Sequence, residues 1–152
     1  MDITVLKSTA KDMVAKGKGI LAADESSKTI QKRFDKIGLE SNPDTNLAYR
    51  KILFTTPGIE NYLSGVILFD ETIRQSIDGI SVPEYLSNKG ILPGIKVDKG
   101  VVDLPNSPLE KITEGLDGLR ERLEEYVQIG AKFAKWRAVI TIGQNLPTDK
   151  CI

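Results

Sequence analysis

The segment FAKWRAV, residues 133 to 139, sets Lys135 and Arg137 two positions apart inside an otherwise apolar run. In a strand, alternation puts Phe133, Lys135, Arg137 and Val139 on one face and Ala134, Trp136 and Ala138 on the other. Burying an unpaired ammonium or guanidinium costs several kcal/mol in effective terms, so a compensating negative charge is expected. Three other apolar runs end in charge: Asp24 and Glu25 after ILAA, Asp70 and Glu71 after VILF, and Lys96, Asp98 and Lys99 in GIKVDKG. In parallel β/α folds that C-terminal strand edge gathers ligands and catalytic groups.

Each of these residues has two readings. Asp24 suits the N-cap of a following helix, as do Ser26 and Ser27 in DESS. It becomes catalytic if it shares a cavity with the lysines. The hydroxyls of Ser26, Ser27 and Thr29 beside a helix N-terminus would seat a phosphate. Lys96 and Asp98 on one strand face form either an internal ion pair or one arm of a ligand site. Asp24, Asp70, Glu71 and Asp98 are in turn available to neutralise Lys135 and Arg137. Taken together, Lys96, Lys135 and Arg137 could face a phosphorylated substrate, as point charges and a planar fork. A lysine crowded by other cations is also the setting for amine chemistry on carbonyls.

Composition narrows the chemistry. The 152 residues balance Lys+Arg 21 against Asp+Glu 21 and include no histidine. The commonest general base and every Ser-His or Cys-His arrangement are thereby excluded within the chain, and acid–base work falls to carboxylates, lysines or tyrosines. Balanced charge lacks the electrostatic footprint of a nucleic-acid binder. The single cysteine, Cys151, excludes an internal disulfide framework and does not fit the four-residue prenylation pattern. The N-terminal segment lacks a signal-peptide core, and no run approaches the ~20 apolar residues of a membrane span, so a cytoplasmic protein without membrane partners is expected. Two decoys fall away. GKGILA (17 to 22) fits a loose dinucleotide fingerprint but precedes a strand instead of following one. Trp136 and Phe133 read as packing against outer helices.

The elements that must position these groups alternate. Helical spacing puts Ile3, Leu6, Ala10, Met13 and Val14 on one face, followed by a strand over 19–24. A helix with Ile30, Phe34 and Ile37 inward closes at Gly38, and Ser41 or Asn42 before Pro43 opens another with its inner face near Leu47 and Ile52. Strands follow over 65–72, 94–102 and 131–143, separated by a short helix ending at Gly90 and a longer one striped with Leu116, Leu119, Leu123, Tyr126 and Val127. Alternating strands and helices predict an α/β fold with a parallel sheet, and residues 1–152 read as one domain.

GILAADES (19–26), GVILFDET (65–72), GIKVDKGVV (94–102), GLDGLRERLEEY (115–126) and GAKFAKWRAV (130–139) resemble, in order and spacing, the N-terminal portion of class I fructose-bisphosphate aldolases. The resemblance implies a (β/α)8 TIM barrel of which this chain supplies about the first four β/α units. It implies reversible cleavage of fructose 1,6-bisphosphate into dihydroxyacetone phosphate and glyceraldehyde 3-phosphate through a lysine Schiff base, with no metal or other cofactor. Asp24 matches the aspartate that handles the C4 hydroxyl proton, and Lys135 the lysine that assists carbinolamine and Schiff-base steps. Ser26 and Thr29 fall on phosphate-contacting hydroxyls, although serine is usual at the second. Arg33, Lys96 and Arg137 match substrate- or phosphate-binding cations. Asp70 stands where many relatives carry histidine. The partner implied is a small sugar phosphate, and the whole enzyme would be a homo-oligomer, often a tetramer.

The Schiff-base lysine, its neighbouring glutamates and the second phosphate site belong to the family's later strands. Pro147, Thr148 and Asp149 read as the approach to a further helix, so the chain is expected to be the front part of a longer barrel and inactive by itself. The alternative is a non-catalytic half-barrel that binds sugar phosphates or assembles with another half.

Overall fold

The structure, a computed structural model, describes residues 2–151. Four parallel strands form its main sheet in chain order: β1 (Gly19–Ala23), β2 (Leu63–Leu68), β5 (Leu92–Lys96) and β8 (Phe133–Lys135). Helices α2 (Ser27–Phe34) and α3 (Pro43–Phe54) connect β1 to β2, and α4 (Asp70–Ile73) with α5 (Val82–Asn88) leads to β5. A small ribbon of β3 (Ser76–Ile77) and β4 (Ile80–Ser81) lies between α4 and α5. The last connection holds the hairpin β6 (Val101–Leu104) and β7 (Ser107–Thr113), then α6 (Leu119–Gln128). Helix α1 (Ile3–Met13) precedes β1.

Local chemistry accounts for these boundaries. Asn42 caps α3, its Oδ1 accepting from the amides of Asp44 and Thr45 at 3.0 Å while the Thr45 hydroxyl accepts from the Asn42 amide, a reciprocal box just before Pro43. Gly38 closes the turn after α2 in the left-handed conformation. Val66, Leu68 and Ile95 from the sheet, with Val97 just past the end of β5, meet Phe54, Val82, Leu86 and Tyr126 from the helices in one buried cluster. Among the described residues no helix is long and apolar enough to cross a membrane.

Several expectations are corrected. The second strand ends at Leu68, because residues 70–73 turn into α4. The third ends at Lys96, and Val101 onward belongs to a hairpin that turns at Pro105 and Asn106, the latter at φ 62°, which asparagine tolerates. The fourth is only Phe133–Lys135, since the run pairs on one side with β5 and has no described neighbour on the other. Trp136 therefore leaves the strand and is 36 % exposed instead of packed under helices.

Helix faces also differ from the apolar stripes. α3 turns Asn46, Arg50 and Phe54 inward and leaves Ile52 exposed. Ile37 lies outside, with only Ile30 and Phe34 of its stripe buried. On α6 Tyr126 is buried, with Leu119 and Leu123 partly so and Val127 exposed, while Leu116 precedes the helix and is also exposed. α1 buries nothing: it is tied to the inner strand β2 by the Ser64 hydroxyl donating to the Met13 carbonyl at 2.7 Å.

Pro147 to Cys151 form a turn, with the Cys151 amide donating to the Thr148 carbonyl. Glu110 of β7, wholly buried, holds this segment. Its carboxylate accepts from the Ser107 hydroxyl (2.5 Å), the Thr148 hydroxyl (2.6 Å) and the Thr148 amide (2.8 Å). Those donors, Ser107 first, pull the carboxyl from an ordinary 4.5 down to about 2. A depressed folded value stabilises above the unfolded one and stops doing so as pH falls through the folded one. Thermal melts should therefore show the wild-type advantage over Glu110→Gln present at pH 6 and vanishing between pH 4.5 and about 2.

Close approach of β5 and β8 rests on Gly94, whose partner in register is Phe133. A Cβ there would overlap the Phe133 ring. Gly94→Ala should destabilise the fold by about 1–3 kcal/mol in urea unfolding, as overpacked sites do.

Candidate active site

A cavity of about 710 Å³ opens at the C-terminal edge of the sheet. Asp24, Ser26, Thr29, Lys96, Lys135 and Arg137 all line it. The strand register brings Lys96 of β5 directly beside Lys135 of β8. Two ammonium groups on neighbouring strands repel each other, and each is met by its own carboxylate. Lys135 Nζ donates to Asp24 Oδ2 at 2.7 Å, joining residues 111 apart in sequence. Lys96 Nζ donates to Asp98 Oδ1 at 2.5 Å and to the Asp98 carbonyl at 2.6 Å.

Asp24 is consequently no helix cap: Ser26 occupies the N-cap of α2, without a side-chain cap bond. The Ser26 and Thr29 hydroxyls instead bond each other at 3.1 Å at that N-terminus, leaving both on the cavity wall. Asp98 also lies past the end of β5, where its second oxygen accepts from the Arg137 amide at 3.3 Å. Burial pushes the Asp98 carboxyl up, but the Lys96 hydrogen bond and charge, with the Arg137 and Gly100 amides, hold it below the usual range.

Asp70 and Glu71 do not neutralise Lys135 or Arg137. Asp70 takes the guanidinium of Arg74 (3.0 and 3.1 Å) and the hydroxyl of Tyr126 (2.9 Å), and Arg74 also pairs with Glu125. Burial raises the Asp70 carboxyl, yet those two donors more than offset it and leave it lowered. Burial and the Asp70 charge push the Tyr126 phenol up. Glu71 pairs with Arg50 at 3.4 Å. Arg137 forms no ion pair among the described residues; its backbone carbonyl accepts from the Thr113 hydroxyl at 2.8 Å, placing an unspent guanidinium on the wall.

Arg33 is the predicted residue not brought to the cavity lining. It pairs with Glu25 Oε1 at 2.7 Å and donates to the Tyr49 hydroxyl at 2.6 Å. Sequence reasoning missed Arg74, Arg122, Glu125 and Tyr126, which complete the wall. Only the Asp70–Arg74 spacing of four residues gave a local signal. Arg122 donates to the carbonyls of Val97 (3.0 Å) and Gly115 (2.5 Å), tying the loop after β5 to the entry of α6. Gly115 is at φ 125°, and a Cβ would press on the Lys99 amide, so this crossing demands glycine.

Chemically, the cavity offers a carboxylate sharing a proton-bearing contact with an amine, two hydroxyls at a helix N-terminus, and cations for an anionic ligand. The profile of the family described as Fructose-bisphosphate aldolase class-I matches residues 5–152. The chain belongs to this family. The probable fructose-bisphosphate aldolase class 1 of Xylella fastidiosa (strain 9a5c) is 57 % identical over 153 residues, which cover all of this chain and 46 % of that protein. Fructose-bisphosphate aldolase 2 of Plasmodium berghei (strain Anka) is 52 % identical over 150 residues, 97 % of this chain and 41 % of that protein. A solved structure of the Plasmodium falciparum aldolase, in complex with TRAP and a small molecule inhibitor, superposes with a TM-score of 0.92 at 50 % identity, covering 97 % of this chain and 44 % of that one. The chain thus spans less than half the length of these aldolases, and its four parallel units are the first units of the aldolase TIM barrel.

The aldolase cavity depends on Asp98, which accepts from Lys96 and two backbone amides with its side chain only 3 % exposed. Asp98→Asn leaves the Lys96 ammonium without its counter-charge. The substitution should cost about 1–3 kcal/mol of stability in urea unfolding, and the loss should be smaller in the double variant with Lys96→Met.

Proposed function

We propose that this chain supplies the proton-handling and phosphate-holding side of a metal-independent, Schiff-base fructose-bisphosphate aldolase, which reversibly cleaves fructose 1,6-bisphosphate into dihydroxyacetone phosphate and glyceraldehyde 3-phosphate. The observation that carries this reading is the 2.7 Å pair between Lys135 and Asp24 across the cavity. Asp24 takes the C4 hydroxyl proton as the C3–C4 bond breaks, so the aldehyde product leaves and the bonding electron pair passes toward the imine at C2. Lys135 gives a proton to the carbinolamine hydroxyl, which departs as water when that imine forms. Lys96, Ser26 and Thr29 hold a phosphate, Arg137 contacts the substrate, and Arg33 supports the group through Glu25.

The imine-forming lysine belongs, on this reading, to later strands of the family, and the complete protein is a cytoplasmic homo-oligomer. The outer edges of β1 and β8 have no partner strand among the described residues, which favours a second reading: a half-barrel that binds sugar phosphates and pairs with another half.

Borohydride reduction of the 152-residue chain in the presence of dihydroxyacetone phosphate should leave no adduct. The ligand should nonetheless shift the NMR signals of Lys96, Lys135 and Arg137, and Lys96→Ala should weaken its binding by about tenfold. A stable adduct on any lysine would show that the nucleophile has been misassigned, and absence of binding would remove the phosphate site. A discrete dimer in sedimentation would favour the second reading.

A further inference from the structure

Arg50 of α3 is wholly buried, yet it does not line the cavity. Burial pulls its pKa down, opposed by the charges of Glu25 and Glu71. A hydrophobic residue of similar volume at such a place is often as stabilising as a buried ion pair, so core stability alone does not account for a guanidinium here. Its contacts give another account. Nη2 donates to the backbone carbonyl of Glu25 at 2.6 Å, and Nη1 donates to the Thr72 hydroxyl at 2.5 Å and to Glu71 Oε1 at 3.4 Å. The guanidinium carbon lies 5.8 Å from the Phe69 ring centre.

One planar group therefore spans two loops at the C-terminal edge, the turn after β1 and the start of α4 after β2. The first anchor is one residue from Asp24. That loop is fixed a second time by the Glu25 carboxylate, which Arg33 holds at 2.7 Å. Asp24 must meet Lys135 of β8 across two intervening strands, so a small shift of its peptide would break a 2.7 Å contact.

We infer that Arg50 is a positioning residue for Asp24, holding the Glu25 carbonyl so that the Asp24 carboxylate stays in hydrogen-bond reach of Lys135. A lysine could not replace it, because an ammonium on a flexible stem does not span both anchors as the guanidinium fork does. The inference rests on the proposed role of the Asp24–Lys135 pair.

The hydrogen bond to Asp24 should slow proton exchange at the Lys135 ammonium and make it visible in lysine-selective ¹⁵N–¹H spectra of the 152-residue chain. The signal is assigned by its loss in Lys135→Met and its faster exchange in Asp24→Asn. Arg50→Lys should speed that exchange by about tenfold while the amide spectrum remains that of the folded chain. A merely structural arginine would lower the melting temperature and leave the exchange rate alone, and that result would overturn the inference. If Arg50→Lys does not fold, Thr72→Val removes one anchor and keeps the guanidinium; its exchange should rise severalfold, and an unchanged rate in the folded variant is equally decisive against the role. Failure of dihydroxyacetone phosphate to perturb the unsubstituted chain would count against the proposed function and not against the positioning, so the two failures are told apart.

Discussion

Lys96 and Lys135 stand side by side because β5 and β8 are parallel and in register, and the rest of the site is organised around making that tolerable. Two partly buried ammonium groups on adjacent strands require separate counter-charges. Asp98 serves Lys96 from just beyond the end of its own strand, while Asp24 serves Lys135 from the far side of the sheet. The second arrangement has the greater structural consequence, since it holds the loop after β1 in a fixed relation to β8. Gly94 allows the two strands to approach over the Phe133 ring, and Arg122 fixes the loop that carries Asp98.

Charges around this pair are divided into local circuits. Asp70, Arg74, Glu125 and Tyr126 satisfy one another on one wall, Glu71 and the carbonyl of Glu25 occupy Arg50, and Glu25 Oε1 occupies Arg33. Arg137 is left with its guanidinium outside these circuits. A cavity wall with paired lysines and one unspent guanidinium suits an anion that arrives and departs: the pairs keep the empty site from accumulating repulsion, and the free fork gives a ligand something to gain.

Much of this arrangement was legible in the residues. The period-2 alternation of FAKWRAV placed Lys135 toward the site, and the clustering of polar residues after each apolar run located the sheet edge. Other features were hidden because their causes are non-local. The buried face of α3 is Asn46, Arg50 and Phe54, which no hydrophobic stripe would select, since the first two bond to groups 21 to 25 residues away. The expected strand over 131–143 shrank to Phe133–Lys135 because backbone pairing, unlike apolar composition, needs a neighbour.

By itself, the sequence determined the alternation of strands and helices, the family, and the residue types available for chemistry, because periodicity, capping and motif spacing are properties of nearby residues. Which carboxylate meets which cation was decided only by the tertiary structure. Asp24 could equally have capped α2, and Asp70 could equally have faced Lys135 until parallel pairing and the helix connections fixed their distances. A charge-assisted hydrogen bond is lost within about an ångström of displacement, and that precision comes from packing across the sheet.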